Sequence, residues 1–170
     1  MIKILKSARA NVMVKDKETG LLLFRDSNLF VDGGRQLIAD VFDGTTAFLP
    51  TWWVCDLGDD ATATETDQVD LVGYISPLSF SSAVGYPTGL AGEPTGVHFQ
   101  FEFDNTGYSG DQVIKELGLF YRPDTVTDDF PRRHTSTGAT GYMVARLKTS
   151  YTSVTVGDGR TITIDWKILF

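Results

Sequence analysis

The last ten residues alternate, and that constrains the fold more than any other feature. Ile162, Ile164, Trp166, Ile168 and Phe170 interleave with Thr161, Thr163, Asp165 and Lys167. Successive side chains of a strand point to opposite faces, so this pattern predicts a strand with one buried and one solvated face. A second run repeats the design: Val97, Phe99, Phe101 and Phe103 share one face, and His98, Gln100 and Glu102 the other. Burying three Phe side chains is worth roughly 5–9 kcal/mol of transfer free energy before entropy is subtracted, so residues 97–103 are expected in the core.

Further strands are expected at 11–14 and 21–24, as a hairpin about the turn Asp16–Gly20, at 28–31, and at 51–57. The segment 113–121 (VIKELGLFY) reads as one strand, with Leu117, Leu119 and Tyr121 on one face and Ile114 and Phe120 on the other. A strand apolar on both faces is either central between layers or covered by a neighbouring subunit. Residues 142–148 form a strand, and 153–156 with 161–170 read as a hairpin about Gly157-Asp158-Gly159. One helix is expected, over 33–43. Asp32 stands at its cap, Leu37, Ile38, Val41 and Phe42 form an apolar stripe, and Gly44 supplies a stop. Residues 81–96 and 123–141 read as long loops.

About seven to nine strands joined by turns, with a single helix, predict a mostly β chain. The expected architecture is an antiparallel β-sandwich, or a barrel-like relative, forming one domain over residues 1–170. Hydrophobic residues make up 42% of the chain and aromatic residues 12%, enough for a core without metal or disulfide staples.

Composition also narrows function. A net charge of −7 argues against nucleic acid as the main partner, because phosphate backbones are bound through clustered Lys and Arg. Lys3, Lys6 and Arg9 interrupt the first residues, and no run approaches the ~20 apolar residues of a membrane helix. Synthesis in the cytoplasm without a signal peptide, and no membrane insertion, are therefore expected.

Candidate chemistry is sparse. Cys55, the single cysteine, lies in the apolar run TWWVC and reads as a small buried hydrophobe. Gly107-Tyr108-Ser109-Gly110 lacks the spacing of a nucleophile elbow. His98 reads as a half-exposed strand residue and His134 as a solvated loop residue. Asp56, Asp59, Asp60, Glu65 and Asp67 are hard donors of the kind calcium prefers. Their spacing departs from the calcium loop, with Gly58 where a ligand belongs and Ala61 in place of the turn glycine. That cluster, and Asp124, Asp128 and Asp129, read as solvated acidic loops. No catalytic, cofactor-binding or metal-binding residue is assigned, and no enzyme activity or cofactor is expected. Trp52, Trp53, Tyr86 and Tyr108 could stack on sugar rings if exposed, so a carbohydrate- or receptor-binding module is the alternative.

Five segments, in order, resemble a family of small bacteriophage tail and virion structural proteins. They are the Gly-Gly-Arg helix start (VDGGRQLIADVFDG), the strand running into an acidic turn (WWVCDLGDDATATETD), the Phe-rich strand, Ile114–Phe120, and the terminal Ile164, Trp166, Ile168, Phe170 pattern. The resemblance runs from about residue 28 onward; the inserts at 81–96 and 123–141 depart from the compact pattern. It implies a noncatalytic, multi-copy component of a tail, baseplate, collar or fibre attachment, located in the virion. Its partners would be other copies of itself and other tail proteins.

Overall fold

A computed structural model describes residues 9–43, 50–67, 70–73, 84–85, 88–89, 96–106, 110–123, 133–134, 140–148 and 153–169. These hold twelve strands and one helix: β1 (Arg9–Asp16), β2 (Leu22–Phe30), α1 (Asp32–Asp43), β3 (Pro50–Gly58), β4 (Val84–Gly85), β5 (Thr88–Gly89), β6 (Gly96–Asp104), β7 (Gln112–Ile114), β8 (Glu116–Pro123), β9 (Arg133–His134), β10 (Thr140–Lys148), β11 (Val154–Val156) and β12 (Thr161–Leu169). Three have only two residues, which leaves nine of ordinary length, and every pairing among the described residues is antiparallel.

Ten strands form one sheet, nine of them along the path β4-β3-β8-β10-β2-β1-β12-β6-β5 and β9 off it beside β10. Strand β2 is its corner. Residues Leu22–Asn28 pair with β1, whereas Leu29 and Phe30 pair with β10. The path therefore folds into two leaves, a first of β2, β1, β12, β6 and β5 and a second of β4, β3, β8 and β10. Their inner faces meet: the Trp53 ring on β3 lies 4.5 Å from the Phe99 ring on β6, centroid to centroid, although the two strands are not neighbours in the sheet. The far ends of the path, β4 and β5, are only three residues apart in sequence, at most ~11 Å of chain, so the sandwich wraps nearly back onto itself.

Alternation explains the core. Ile162, Ile164, Trp166 and Ile168 of β12 face inward beside Val12 and Val14 of β1 and Phe99, Phe101 and Phe103 of β6, and all are buried. From the second leaf come Cys55 and Leu57, Leu117, Leu119 and Tyr121, and Ala145 and Leu147.

The structure departs from expectation in five places. Residues 22–30 are one strand, and 28–31 is not a separate one. The segment 113–121 breaks at Lys115 into β7, which pairs with β11, and β8, which pairs with β3 and β10. The glycine turn forms, with Gly159 at φ 71° and the Arg160 amide donating to the Gly157 carbonyl at 3.0 Å, but it does not join a hairpin. Strand β11 leaves for β7, while β12 pairs with β1 and β6. Within the expected loop 81–96, β4 and β5 add short pairings to β3 and β6, and within 123–141, β9 pairs with β10.

The fifth departure is at the helix. Asp32 lies inside α1, where its carboxylate accepts from the Arg35 guanidinium at 3.0 Å, and the Val31 carbonyl takes the amides of Gly34 and Arg35. The tandem glycines have a steric cause. Strand β10 bulges between Met143 and Ala145, and the helix start sits against that bulge. A Cβ on Gly33 would come 2.5 Å from the Met143 carbonyl oxygen, and one on Gly34 would strike the Val144 carbonyl. Leu37 then joins the main core. The expected stop, Gly44, lies outside the described residues.

Candidate functional site

Ionisable side chains gather at three places among the described residues. The first is on the outward face of the second leaf. Glu116 on β8 and Arg146 on β10 are fully buried, with Arg146 Nε donating to Glu116 Oε2 at 2.6 Å. Register explains the encounter: Arg146 stands opposite Gly118, so Glu116, two residues along, is its diagonal neighbour on the same face. Asp56, opposite Gly118 on β3, is buried there too.

These groups are dry because residues 59–67 and 70–73 lie over them as a strap. Glu116 accepts from the backbone amides of Val72 (3.2 Å) and Gly73 (2.5 Å), and Arg146 Nη1 donates to the carbonyls of Thr62 (3.1 Å) and Ala63 (3.4 Å). The Asp59 amide meets the Gly73 carbonyl, and the Asp32 amide at the helix start meets the Thr66 carbonyl, both at 2.7 Å. Leu71 closes over Phe120, with Val31 and Met143 alongside, as a small second core. The second apolar face of β8 is thus covered by the chain's own strap, not by a neighbouring subunit.

The acidic loop of the sequence is this strap. Asp56 is buried beneath it, Asp59, Glu65 and Asp67 are exposed, and Asp60 is partly covered. Hydrogen bonds from the Thr62 hydroxyl and amide hold Asp60 below the ordinary carboxylate pKa, helped by Arg146. No three His, Cys, Asp or Glu side chains come together as a metal set among the described residues. Asp124, Asp128 and Asp129 lie outside them.

The second gathering is on the outward face of the first leaf. Asp165 on β12 takes Lys15 Nζ from β1 at 3.1 Å, with Gln100 Nε2 at 3.0 Å and His98 Nε2 at 2.9 Å from β6. Burial of Asp165 works to raise its pKa, but the Gln100, Lys15 and His98 donors outweigh that and hold it lowered. An Asp–His contact can fix an imidazole for proton transfer. Here the carboxylate is shared among donors from two flanking strands, and its effect is to tie β1, β12 and β6 together across their solvated face. His98 is half-buried, as its place on the strand predicts.

The third gathering joins two turns. Asp16 accepts from Arg160 Nη2 at 2.5 Å and from the Thr19 amide and hydroxyl at 2.8 Å, which lowers its pKa to about 2. Arg160 also meets Glu18 at 2.8 Å. Beside these turns the buried Asn105 donates to the carbonyls of Gly110, Val156 and Gly157, fastening the end of β6 to the β11–β12 turn.

Other singled-out residues fall as follows. Cys55 is fully buried and its thiol pKa is pushed well up by that burial, so it sits as the neutral thiol. Trp53 lies between the leaves against Phe99 and Tyr121, which removes its ring from any sugar-stacking surface. His134 lies on β9. Tyr86, Tyr108 and Ser109 lie outside the described residues, as does the side chain of Trp52.

Sequence reasoning missed Asp165, Glu116 and Arg146. Each is a charged residue at a position of an otherwise apolar or central strand, and opposite charges set into two such strands are the signal that they pair. No family model, curated protein or solved structure matches this chain.

Proposed function

We propose that this chain is a noncatalytic structural component of a bacteriophage virion. It is a multi-copy, tail-associated protein of the baseplate, collar, adaptor or fibre-attachment kind, acting through protein–protein interfaces. One observation carries the reading: each segment that resembles the family supplies an element of the framework. The Gly-Gly start seats α1 on the β10 bulge, the WWVCDLG run is β3, the Phe-rich run is β6, ELGLF is β8, and the terminal pattern is β12. The likeness therefore lies in scaffolding, as it would in proteins related by assembly and not by a shared reaction.

The charged side chains support the same reading. Those that cluster tie strand to strand or strap to sheet, leaving two broad outer surfaces on opposite leaves. The partners on this proposal are further copies of the chain and other tail proteins, and its location is the virion. Mass spectrometry of particles purified from a producing culture tests it. The chain is expected among the virion proteins at several copies per particle; its absence from intact particles overturns the proposal.

A further inference from the structure

We infer that copies of this chain associate head to tail, the acidic strap of one docking on the outward face of the first leaf of the next. The inference deepens the assembly reading and rests on it, naming which surfaces meet.

The two surfaces carry opposite charge. From Asp59 to Asp70 the strap has five acidic residues and no Lys or Arg, in Asp59, Asp60, Glu65, Asp67 and Asp70. Asp59, Glu65 and Asp67 are exposed. The opposing face carries a local band of cations, in a chain whose net charge is −7, with Asp104 exposed at its far end. Arg25 stands opposite Met13, and Met13 opposite Asp165. Lys15 lies two residues from Met13, and Lys167 two residues from Asp165. Lys15, Arg25 and Lys167 thus surround Asp165 over three adjacent strands, a band about 10 Å across at ~4.8 Å per strand; Lys15 pairs with Asp165 at 3.1 Å, which leaves Arg25 and Lys167 to give the band its charge. The nearby Glu102 is met by Lys17 at 2.7 Å, so it subtracts little from the band.

Geometry makes the contact intermolecular. The band is on the outer side of the first leaf, and the strap covers the outer side of the second. The leaves turn their inner faces to each other through Trp53 and Phe99, so band and strap point in opposite directions and cannot meet within one chain. Between copies they can. A patch that meets a different patch on the next copy gives a heterologous interface, which generates a ring when the rotation closes and a filament when it does not.

The strap is also a firm docking element. Glu116 and Arg146 hold it from beneath by backbone hydrogen bonds, so its carboxylates are presented from an ordered chain and little entropy is lost on contact.

A charge-swap experiment tests the inference on the full chain. Arg25→Glu with Lys167→Glu makes the band acidic, and Asp59→Lys with Glu65→Lys and Asp67→Lys makes the strap basic. Circular dichroism and thermal melting confirm that both variants are folded. In sedimentation velocity at 20 mM salt the native chain is expected to associate, and 500 mM salt is expected to reverse it, because the Debye length falls from about 20 Å to about 4 Å. Each variant alone is expected to sediment as the 18.7 kDa monomer, since its two surfaces now repel. An equal mixture is expected to recover association, with the two variants alternating. A native chain that stays monomeric at low salt, or single variants that associate as well as the native chain, overturns this interface. Neither result touches the particle-composition test, so failure of the interface and failure of the virion reading remain separate.

Discussion

Glu116 and Asp165 solve the same problem under different cover. Each is a carboxylate on the middle strand of a leaf, β8 between β3 and β10 and β12 between β1 and β6, and each points outward. The Glu116 and Arg146 side chains are 0% exposed beneath the strap. Asp165 is 6% exposed, but its partners Lys15 and His98 are 38% and 25% exposed, so water reaches the far side of the network. The buried pair fixes where a loop lies, because its remaining hydrogen-bonding capacity is met by strap backbone. The wetted network ties three strands while leaving their face a surface. The strand's place in its leaf is the same; what lies over the side chain decides the role.

Breaking the buried pair should have the largest effect. Glu116→Ala leaves Arg146 charged, dry and without its carboxylate, and should cost about 3–5 kcal/mol in urea-induced unfolding. The amides of Val72 and Gly73 should lose their hydrogen-exchange protection with it. A cost under about 1 kcal/mol for Glu116→Ala would mean that the pair behaves as a solvated one and that the contrast with Asp165 is unfounded.

Gly34→Ala comes next. The added methyl strikes the Val144 carbonyl, a backbone atom that cannot rotate away, so the helix start must lift from the β10 bulge. Overpacking of this kind costs about 1–3 kcal/mol, read as a lowered melting temperature. The Asp32 amide that holds the Thr66 carbonyl of the strap is two residues away. Strap amides should therefore exchange faster in this variant while those of β12 keep their protection. Equal loss in both regions would show that the leaves do not respond separately.

How much of this was legible in the sequence follows from the range of the forces involved. Strict alternation marked β6 and β12, because a period of two records which face is buried. The helix and the opening hairpin carried local signals in their apolar spacing and turn residues. Pairing across long separations was not legible. The run 113–121 looks continuous because nothing in its side chains marks Lys115 as the break, which is set by β7 joining β11 and β8 joining β3. The turn at Gly157–Gly159 suits a hairpin locally, yet its flanking strands follow the two-leaf topology instead. Strands β4 and β5 have two residues each, too few to show any period. At the charged clusters, residue type was visible and partnership was not: Glu116 and Arg146 are 30 residues apart, and His98 and Asp165 are 67.

Asp165→Asn sharpens the comparison from the wet side. Charge pairing with a partner as exposed as Lys15 is worth about 1 kcal/mol, and this loss should shrink in 1 M salt, where the Debye length is about 3 Å. The cost of Glu116→Ala should hardly change with salt, because its pair is shielded from ions.

Acid gives the smallest and most specific effect. Asp16 has its pKa lowered to about 2 by Arg160 and Thr19, and Asp165 is also lowered although burial works against it. Unfolded carboxylates titrate near ~3.9, so both groups bind protons more weakly in the folded chain. Their contribution to stability is therefore complete above about pH 4 and is lost as the pH falls through the folded-state value. Melting temperatures measured from pH 5 to pH 2 should fall for the native chain and fall less steeply for Asp16→Asn, which has already lost its pH-dependent contribution. Asp165→Asn should flatten the curve in the same direction but by less, because burial offsets part of what its donors supply. If both variants follow the native acid curve, these donors do not hold the carboxylates ionised, and the wetted network has no more influence on stability than a solvated surface.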